Sequence, residues 1–189
     1  SVRRREDARL LTGRGRYVRS ISLPGMMHVT FVRSLHAHAR LRAIDVTAAR
    51  TAPGVVAIVT GEDATIARHQ IRARSALATY VETDQPVLAW PRVRFAGEAV
   101  AAVVGVDPYA AADAAERVDV DYEPLPAIVD LVGATEPSAP LVHDAMPGNV
   151  FLSRRFESGD VEASLREAAV VVERTFRTNR QTAGPLETR

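Results

Sequence analysis

Two histidines lie one residue apart in the stretch VRSLHAHAR, residues 32–40, with an arginine near each end. In an extended strand, side chains two residues apart lie on the same face, so His36 and His38 could hold a metal ion together. Two imidazoles supply at most two ligands, however, and a stable site usually has three or four. The alternative is that Arg33, His36, His38 and Arg40 form hydrogen bonds to backbone groups at a turn between two strands, and the ligand count favours this alternative.

Three carboxylates alternate along VDVDYEP, residues 118–124. Asp119, Asp121 and Glu123 would share one face of a strand, where they could bind calcium or magnesium. The stretch lacks the glycine turn and the loop ligands of an EF-hand. We therefore expect these carboxylates to lie on a solvated strand edge.

GRGRY, residues 13–17, offers two glycines beside arginines, which is a composition found in phosphate-binding loops. No strand-like segment precedes it and no G-x-G-x-x-G pattern follows, so we do not expect it to bind phosphate. The serines lie in no G-x-S-x-G elbow, which argues against a serine hydrolase. No catalytic constellation is visible in the sequence.

Composition limits the class of protein. The 189 residues, 47% of them hydrophobic, suit one domain or one domain plus part of a second. The formal net charge of +1 gives no bulk electrostatic argument for a nucleic-acid or anionic-membrane partner. The absence of cysteine excludes disulfides and thiolate metal sites within these residues. No apolar run reaches the roughly 18 to 20 residues of a membrane span, so we expect a soluble, cytoplasmic protein.

Strand-like and helix-like segments succeed one another over residues 14–125. Asp107-Pro108 predicts a helix start, because aspartate accepts hydrogen bonds from orphan amides and proline suits the first helical position. Apolar and β-branched runs predict strands on either side of this helix and earlier in the chain. These strands are expected at residues 26–33, 39–46, 55–61, 98–106 and 118–125. The pattern indicates one α+β domain with a mixed sheet.

Proline dominates the segment after this domain. Five prolines between residues 124 and 147 predict an extended connector, which we place at residues 126–158. A second unit begins at residue 159 with a short helix, and a strand is expected over residues 170–181. About 30 residues cannot form a stable core alone. Because the sequence also opens without methionine and stops directly after PLETR, we expect it to be an excerpt of a longer chain.

Several motifs in order resemble the amino-terminal part of the large subunit of molybdenum hydroxylases, the xanthine dehydrogenase and aldehyde oxidase family. The motifs are especially similar to those of the large subunit of the bacterial carbon monoxide dehydrogenase type. The matching segments are RREDARLLTGRGRYV (4–18), residues 23–63, residues 86–130, PLVHDAMPGNV (140–150) and residues 159–189. The resemblance implies an amino-terminal arm (1–13), an α/β hammerhead domain (14–125), the connector (126–158) and the incomplete start of the molybdopterin-binding domain (159–189).

The resemblance also implies a function. The complete subunit would hydroxylate or oxidise a purine, aldehyde, N-heterocycle or carbon monoxide, with water as the oxygen source. It would hold molybdenum on molybdopterin, in the cytosine dinucleotide form usual in bacterial relatives. Electrons would pass to 2Fe–2S clusters and FAD on partner subunits, in a dimer of multi-subunit protomers. We expect no catalytic, cofactor-binding or metal-binding residue in this segment; the alternative is a non-catalytic assembly domain.

Glu187, in GPLETR, is the carboxylate that invites a general-base role. The resemblance argues against this role, because the family's glutamate base and its glycine-phenylalanine-glycine cofactor loop lie later in the subunit. We expect Glu187 to be a structural acid that pairs with Arg189 or a nearby arginine. Leu35 stands where the family usually has proline, and Ala99 also replaces a frequent proline.

Overall fold

The computed structural model describes residues 4–179. Residues Met27–Arg155 form one compact unit, and the described parts of Ser1–Met26 and Phe156–Arg189 form another. The strands within the described residues are β1 (His28–Arg33), β2 (Ala39–Asp45), β3 (Val55–Thr60), β4 (Gln70–Arg72), β5 (Asp84–Pro86), β6 (Arg92–Val93), β7 (Ala99–Gly105) and β8 (Asp119–Pro124). The α-helices there are α1 (Asp7–Leu11), α2 (Thr47–Arg50), α3 (Ala64–Ala67), α4 (Pro108–Ala115) and α5 (Val161–Glu167). None of these helices is long and apolar enough to span a bilayer.

The first sheet has the strand order β1-β7-β3, and both pairings are antiparallel. The central strand β7 has the sequence AVAAVVG and no charged side chain. Its residues are buried or half-buried throughout. The run VVAIVTG (55–61), which contains β3, is the one typical of a strand buried on both faces; that prediction is wrong, because Val56 is 47% exposed. The positions of the three strands expected from their apolar runs are confirmed, to within a few residues at their ends.

Helix α4 packs closely on this sheet. The Asp107 side chain accepts hydrogen bonds from the amides of Tyr109 and Ala110, both at 2.8 Å, and Pro108 occupies the first turn. This confirms the predicted helix start. Ala111 of α4 is fully buried and lies so near Gly105 that a Cβ on that glycine would be 2.7 Å from the Ala111 amide nitrogen. Small side chains on both elements allow this approach.

The second sheet has the order β6-β2-β8, again with antiparallel pairings. Ala39, Leu41 and Ile44 of β2 are buried in a core cluster with Val93 and Val100. A smaller third sheet pairs β4 with β5 in a region that no sequence pattern assigned. In that pair, the Arg72 guanidinium donates two hydrogen bonds to Asp84, at 2.5 and 2.7 Å.

The α+β class is confirmed, but the single mixed sheet is not. All strand pairings among the described residues are antiparallel and are divided among three sheets. The succession of β7, α4 and β8 suggested a crossover within one sheet. The reason it does not form is that β7 already has β1 and β3 on its two sides, so β8 pairs with β2 instead.

Residues 170–179 form no strand, so the predicted strand there is wrong over its described part. A strand is stabilised by ladder hydrogen bonds to a neighbour, and no described segment supplies them to these residues. Their apolar side chains are exposed, with Phe176 at 86%. The helix predicted just before them is confirmed as α5, where the Asp160 carboxylate accepts from the Ala163 amide at 2.8 Å.

Candidate functional site

The histidine pair lies in a bend between β1 and β2. The Ser34 hydroxyl donates to the His36 carbonyl at 2.9 Å and accepts from the His36 amide at 3.0 Å, which fixes the bend. The His36 ring packs against the Tyr122 ring at a tilt of 47°, with centroids 4.8 Å apart. The His38 Nδ1 lies 2.8 Å from the Pro126 carbonyl, to which it donates. Each ring therefore has its own protein partner.

The alternative to metal binding in residues 32–40 is hydrogen bonding of four side chains to backbone groups, and the structure supports it for two of them. Arg33 donates from Nη1 to the Gly97 carbonyl at 2.8 Å, and His38 bonds to a backbone carbonyl. Arg40 instead faces the Glu123 carboxylate at 3.6 Å, and the His36 ring packs against the tilted ring of Tyr122. Among residues 4–179, no group of three or more His, Asp or Glu side chains could hold a metal ion.

The alternating carboxylates lie on β8 at the edge of the second sheet. Glu123 contacts two arginines of the neighbouring strand β2, Arg40 at 3.6 Å and Arg42 at 3.3 Å. Asp119 and Asp121 are exposed. The arrangement is a solvated, arginine-paired strand edge, as expected.

The GRGRY segment follows the short helix α1. The amide of Gly13 donates to the Leu10 carbonyl at 3.2 Å, and the amide of Arg14 donates to the Arg9 carbonyl at 2.8 Å. A phosphate-binding loop needs such amides for its ligand, and in this chain the helix end uses them. Glu187 and Arg189 lie outside the described residues.

Sequence reasoning missed a cavity of about 220 Å³ in the unit Met27–Arg155. Three parts of the chain form it: the end of β5, the turn that leads into β7, and residues 142–151. Its lining includes the titratable side chains of Arg94, Glu98 and His143 and the rings of Phe95 and Phe151. Ionisable groups in a partly apolar cavity are candidates for function.

Glu98 is the most deeply buried charged residue of the cavity, with 3% of its surface exposed. Its Oε2 accepts from the Arg94 amide at 2.5 Å, and its Oε1 has no hydrogen-bond partner among the described residues. Burial raises the pKa of this carboxyl, and the Arg94 amide and charge oppose the rise only in part. The site therefore shifts the balance toward the neutral acid, compared with a carboxyl group in water.

His143 and Arg94 complete the polar part of the cavity. The His143 ring packs edge-on against Phe151, with centroids 5.7 Å apart. Burial lowers the pKa of His143, the Arg94 charge lowers it further, and Asp144 acts in the opposite direction. The Arg94 Nε is buried without a hydrogen-bond partner among residues 4–179.

One sequence signal could have drawn attention to this cavity. Glu98 directly precedes the apolar run AVAAVVG, and a carboxylate at the start of a doubly covered strand is expected to be desolvated. His143 carries no comparable signal, because it lies in a segment without periodicity. Only in the folded chain do His143 and Glu98 line the same cavity.

Comparison with known proteins identifies the family. A family model described as aldehyde oxidase and xanthine dehydrogenase, a/b hammerhead domain, matches residues 12–126, more than half of the chain. This chain belongs to the aldehyde oxidase and xanthine dehydrogenase family. A second model, described as a molybdopterin cofactor-binding domain, matches residues 142–189. The cavity is thus lined by residues from both matches, since Glu98 lies in the first and His143 in the second.

Curated relatives are subunits of molybdenum hydroxylases. The carbon monoxide dehydrogenase large chain of Afipia carboxidovorans is 42% identical, over 98% of this chain and 24% of the relative. The nicotine 6-hydroxylase large subunit of Paenarthrobacter nicotinovorans is 37% identical, over 100% of this chain and 23% of the relative. This member of the family therefore spans about a quarter of the length of these relatives.

A solved structure of the family has the same fold. Quinoline 2-oxidoreductase from Pseudomonas putida 86 superimposes with a TM-score of 0.71 and 44% sequence identity. The match covers 80% of this chain and 19% of that one. The resemblance to molybdenum hydroxylases and the hammerhead assignment predicted from the sequence motifs are confirmed.

Proposed function

We propose that this chain is the amino-terminal portion of the molybdenum-containing subunit of an oxidoreductase. The complete enzyme hydroxylates or oxidises a small substrate, a purine, aldehyde, N-heterocycle or carbon monoxide, with water as the oxygen source. The observation that carries the proposal is the order of the two family matches, hammerhead first and molybdopterin-binding second, in one chain. Relatives of this family act on carbon monoxide and nicotine, by their names.

The cavity around Glu98 does not itself fit the cofactor. The cavity of about 220 Å³ is smaller than the roughly 300–1,000 Å³ of usual ligand pockets, and a pterin dinucleotide is a large ligand. We therefore assign the molybdopterin, in its cytosine dinucleotide form, to the rest of the subunit. When bound there, it takes electrons from the substrate and delivers oxygen derived from water. The 2Fe–2S clusters and FAD belong to partner subunits in the cytoplasm, in a dimer of multi-subunit protomers.

The amino-terminal portion has a structural role in this proposal. We divide it into an arm (1–13), the hammerhead domain (14–125), a connector (126–158) and the start of the molybdopterin-binding domain (159–189). The hammerhead domain forms one wall of the substrate channel and packs against the cofactor domain. In the start of the molybdopterin-binding domain, the exposed apolar side chains of Val170, Val172 and Phe176 support packing against the rest of that domain, since exposed apolar surface often marks an interaction site.

The test is to purify the full-length protein with the subunits that accompany it. We expect about one molybdenum per subunit by elemental analysis, CMP released by acid hydrolysis, and the absorption of 2Fe–2S clusters and flavin. The enzyme is then incubated in oxygen-18 water with each of four compounds: carbon monoxide, xanthine, benzaldehyde and quinoline. We expect it to oxidise one of them and to place oxygen-18 in the product. Label from molecular oxygen instead of water would refute the proposed chemistry. A folded, assembled protein without molybdenum would favour the non-catalytic assembly function.

A further inference from the structure

The cavity of about 220 Å³ combines a permanent cation with a mostly apolar wall. Phe95, Phe151 and Pro86 supply much of this wall, and the Arg94 side chain reaches it as well. At a liquid volume of about 30 Å³ per water, the space equals roughly seven water molecules. That suits a single ring or a short chain that carries one charged group.

The Arg94 guanidinium forms no ion pair with any residue in the described part of the chain. Neighbouring arginines do: Arg92 contacts Asp144 at 2.9 Å, and Arg72 contacts Asp84 at 2.5 Å. The acid in the same cavity, Glu98, uses Oε2 for the Arg94 amide rather than for its guanidinium. A half-buried cation without a contacting anion is a site where an external anion gains a strong, charge-assisted interaction.

Glu98 lies in the wall of the same cavity. Its side chain is almost fully buried, and Oε1 is covered and lacks a partner among the described residues. The Arg94 guanidinium is therefore the charged group of the cavity that an anionic ligand reaches.

We propose that this cavity binds a small monocarboxylate, whose charged group pairs with Arg94 and whose apolar body packs against Phe95 and Phe151. The ligand is a ring or chain of benzoate size. This binding does not depend on the proposed redox function, because the site lies within the described unit and involves no molybdenum. An inorganic oxyanion would lack the apolar body, and a neutral amide would lack the charge.

The test measures benzoate binding to the full-length protein by calorimetry, with benzamide and inorganic phosphate as comparison probes. In Arg94→Met, which keeps the length but removes the charge, we expect benzoate affinity to fall by roughly tenfold or more. Arg68→Met, at an exposed arginine outside the cavity, is the matched control and should bind like the wild type. Gln85→Trp places a large ring at the exposed rim and should also abolish binding, which covers the case in which Arg94→Met does not fold.

Each other result overturns the proposal. Equal affinity for benzoate and benzamide would remove the role of the charge. Equal affinity for benzoate and phosphate would remove the role of the apolar wall. Benzoate binding that neither Arg94→Met nor Gln85→Trp weakens, or no binding to the wild type, would show that this cavity is not a carboxylate site.

Discussion

The buried carboxyl of Glu98 makes the stability of this protein depend on pH in a defined direction. Glu98→Gln replaces the acid by an amide of nearly the same shape, whose carbonyl oxygen can still accept from the Arg94 amide. The neutral acid buries one unpaired hydroxyl donor and the amide buries an NH₂ group with two, so at low pH the two proteins should differ by a constant of about 1 kcal/mol. A change of this difference with pH should appear only when the acid ionises.

The sign follows from the raised pKa of Glu98 in the folded protein. A raised pKa means that the folded state holds its proton more tightly than the unfolded state. The contribution to stability is complete below the unfolded pKa, near 4.5, and is lost as the pH rises through the folded pKa. In that window the wild type should lose up to about 1.4 kcal/mol per pH unit relative to Glu98→Gln.

The assay is denaturant unfolding of the full-length protein at a series of pH values from roughly 4.5 to 8, with the free energy of unfolding compared between wild type and variant. Glu62→Gln, at an exposed glutamate of the same unit, controls for the loss of one carboxylate. Glu98→Ala should be about 1–3 kcal/mol less stable than Glu98→Gln at every pH, because the Arg94 amide loses its acceptor. A wild type that gains stability over Glu98→Gln as the pH rises would refute the reasoning. It would mean that the Arg94 charge outweighs burial.

Two further substitutions test the packing of α4 on the first sheet. Asp107→Ala removes the helix cap and should lower the free energy of unfolding by about 1 kcal/mol, whereas Asp113→Ala on the exposed side of the helix should change it little. Gly105→Ala places a methyl group 2.7 Å from the Ala111 amide nitrogen and should destabilise by roughly 1–3 kcal/mol. Gly148→Ala, where the added carbon meets nothing within 4 Å, is the matched control; equal stability of the two alanine variants would contradict the close packing.

Local patterns in the sequence predicted those helices and strands that are determined by adjacent residues. The apolar run of β7 and the Asp107-Pro108 helix start carry their own information, since the strand preference of valine-rich runs and helix capping depend on adjacent residues. The sheet that a strand joins depends on which other strands still have an unpaired edge. This is a property of the whole chain. The sequence order of β7, α4 and β8 therefore suggested a shared sheet that the folded chain does not have.

The cavity was not predictable for the same reason. Glu98 and His143 are far apart in sequence, and their proximity requires the third sheet and the segment after residue 140 to fold onto the turn before β7. Residues 70–86 offer no strong periodicity, so β4 and β5 were not expected. The ion pair between Arg72 and Asp84 belongs to that pairing and appears only with it.

Both family matches contribute residues to the compact unit Met27–Arg155. The change from one match to the other along the sequence therefore does not coincide with a change from one packed unit to another. Residues 142–155 belong to the molybdopterin-binding match but are packed in the compact unit Met27–Arg155, here called the hammerhead unit because most of it lies in the hammerhead match. The Phe151 carbonyl accepts from the Val81 amide at 2.8 Å, and Asp144 pairs with Arg92. The Met146 side chain is buried. A chain cut after residue 126 would lose these contacts together with one wall of the cavity. The first residues of the second match are therefore part of what stabilises the hammerhead unit.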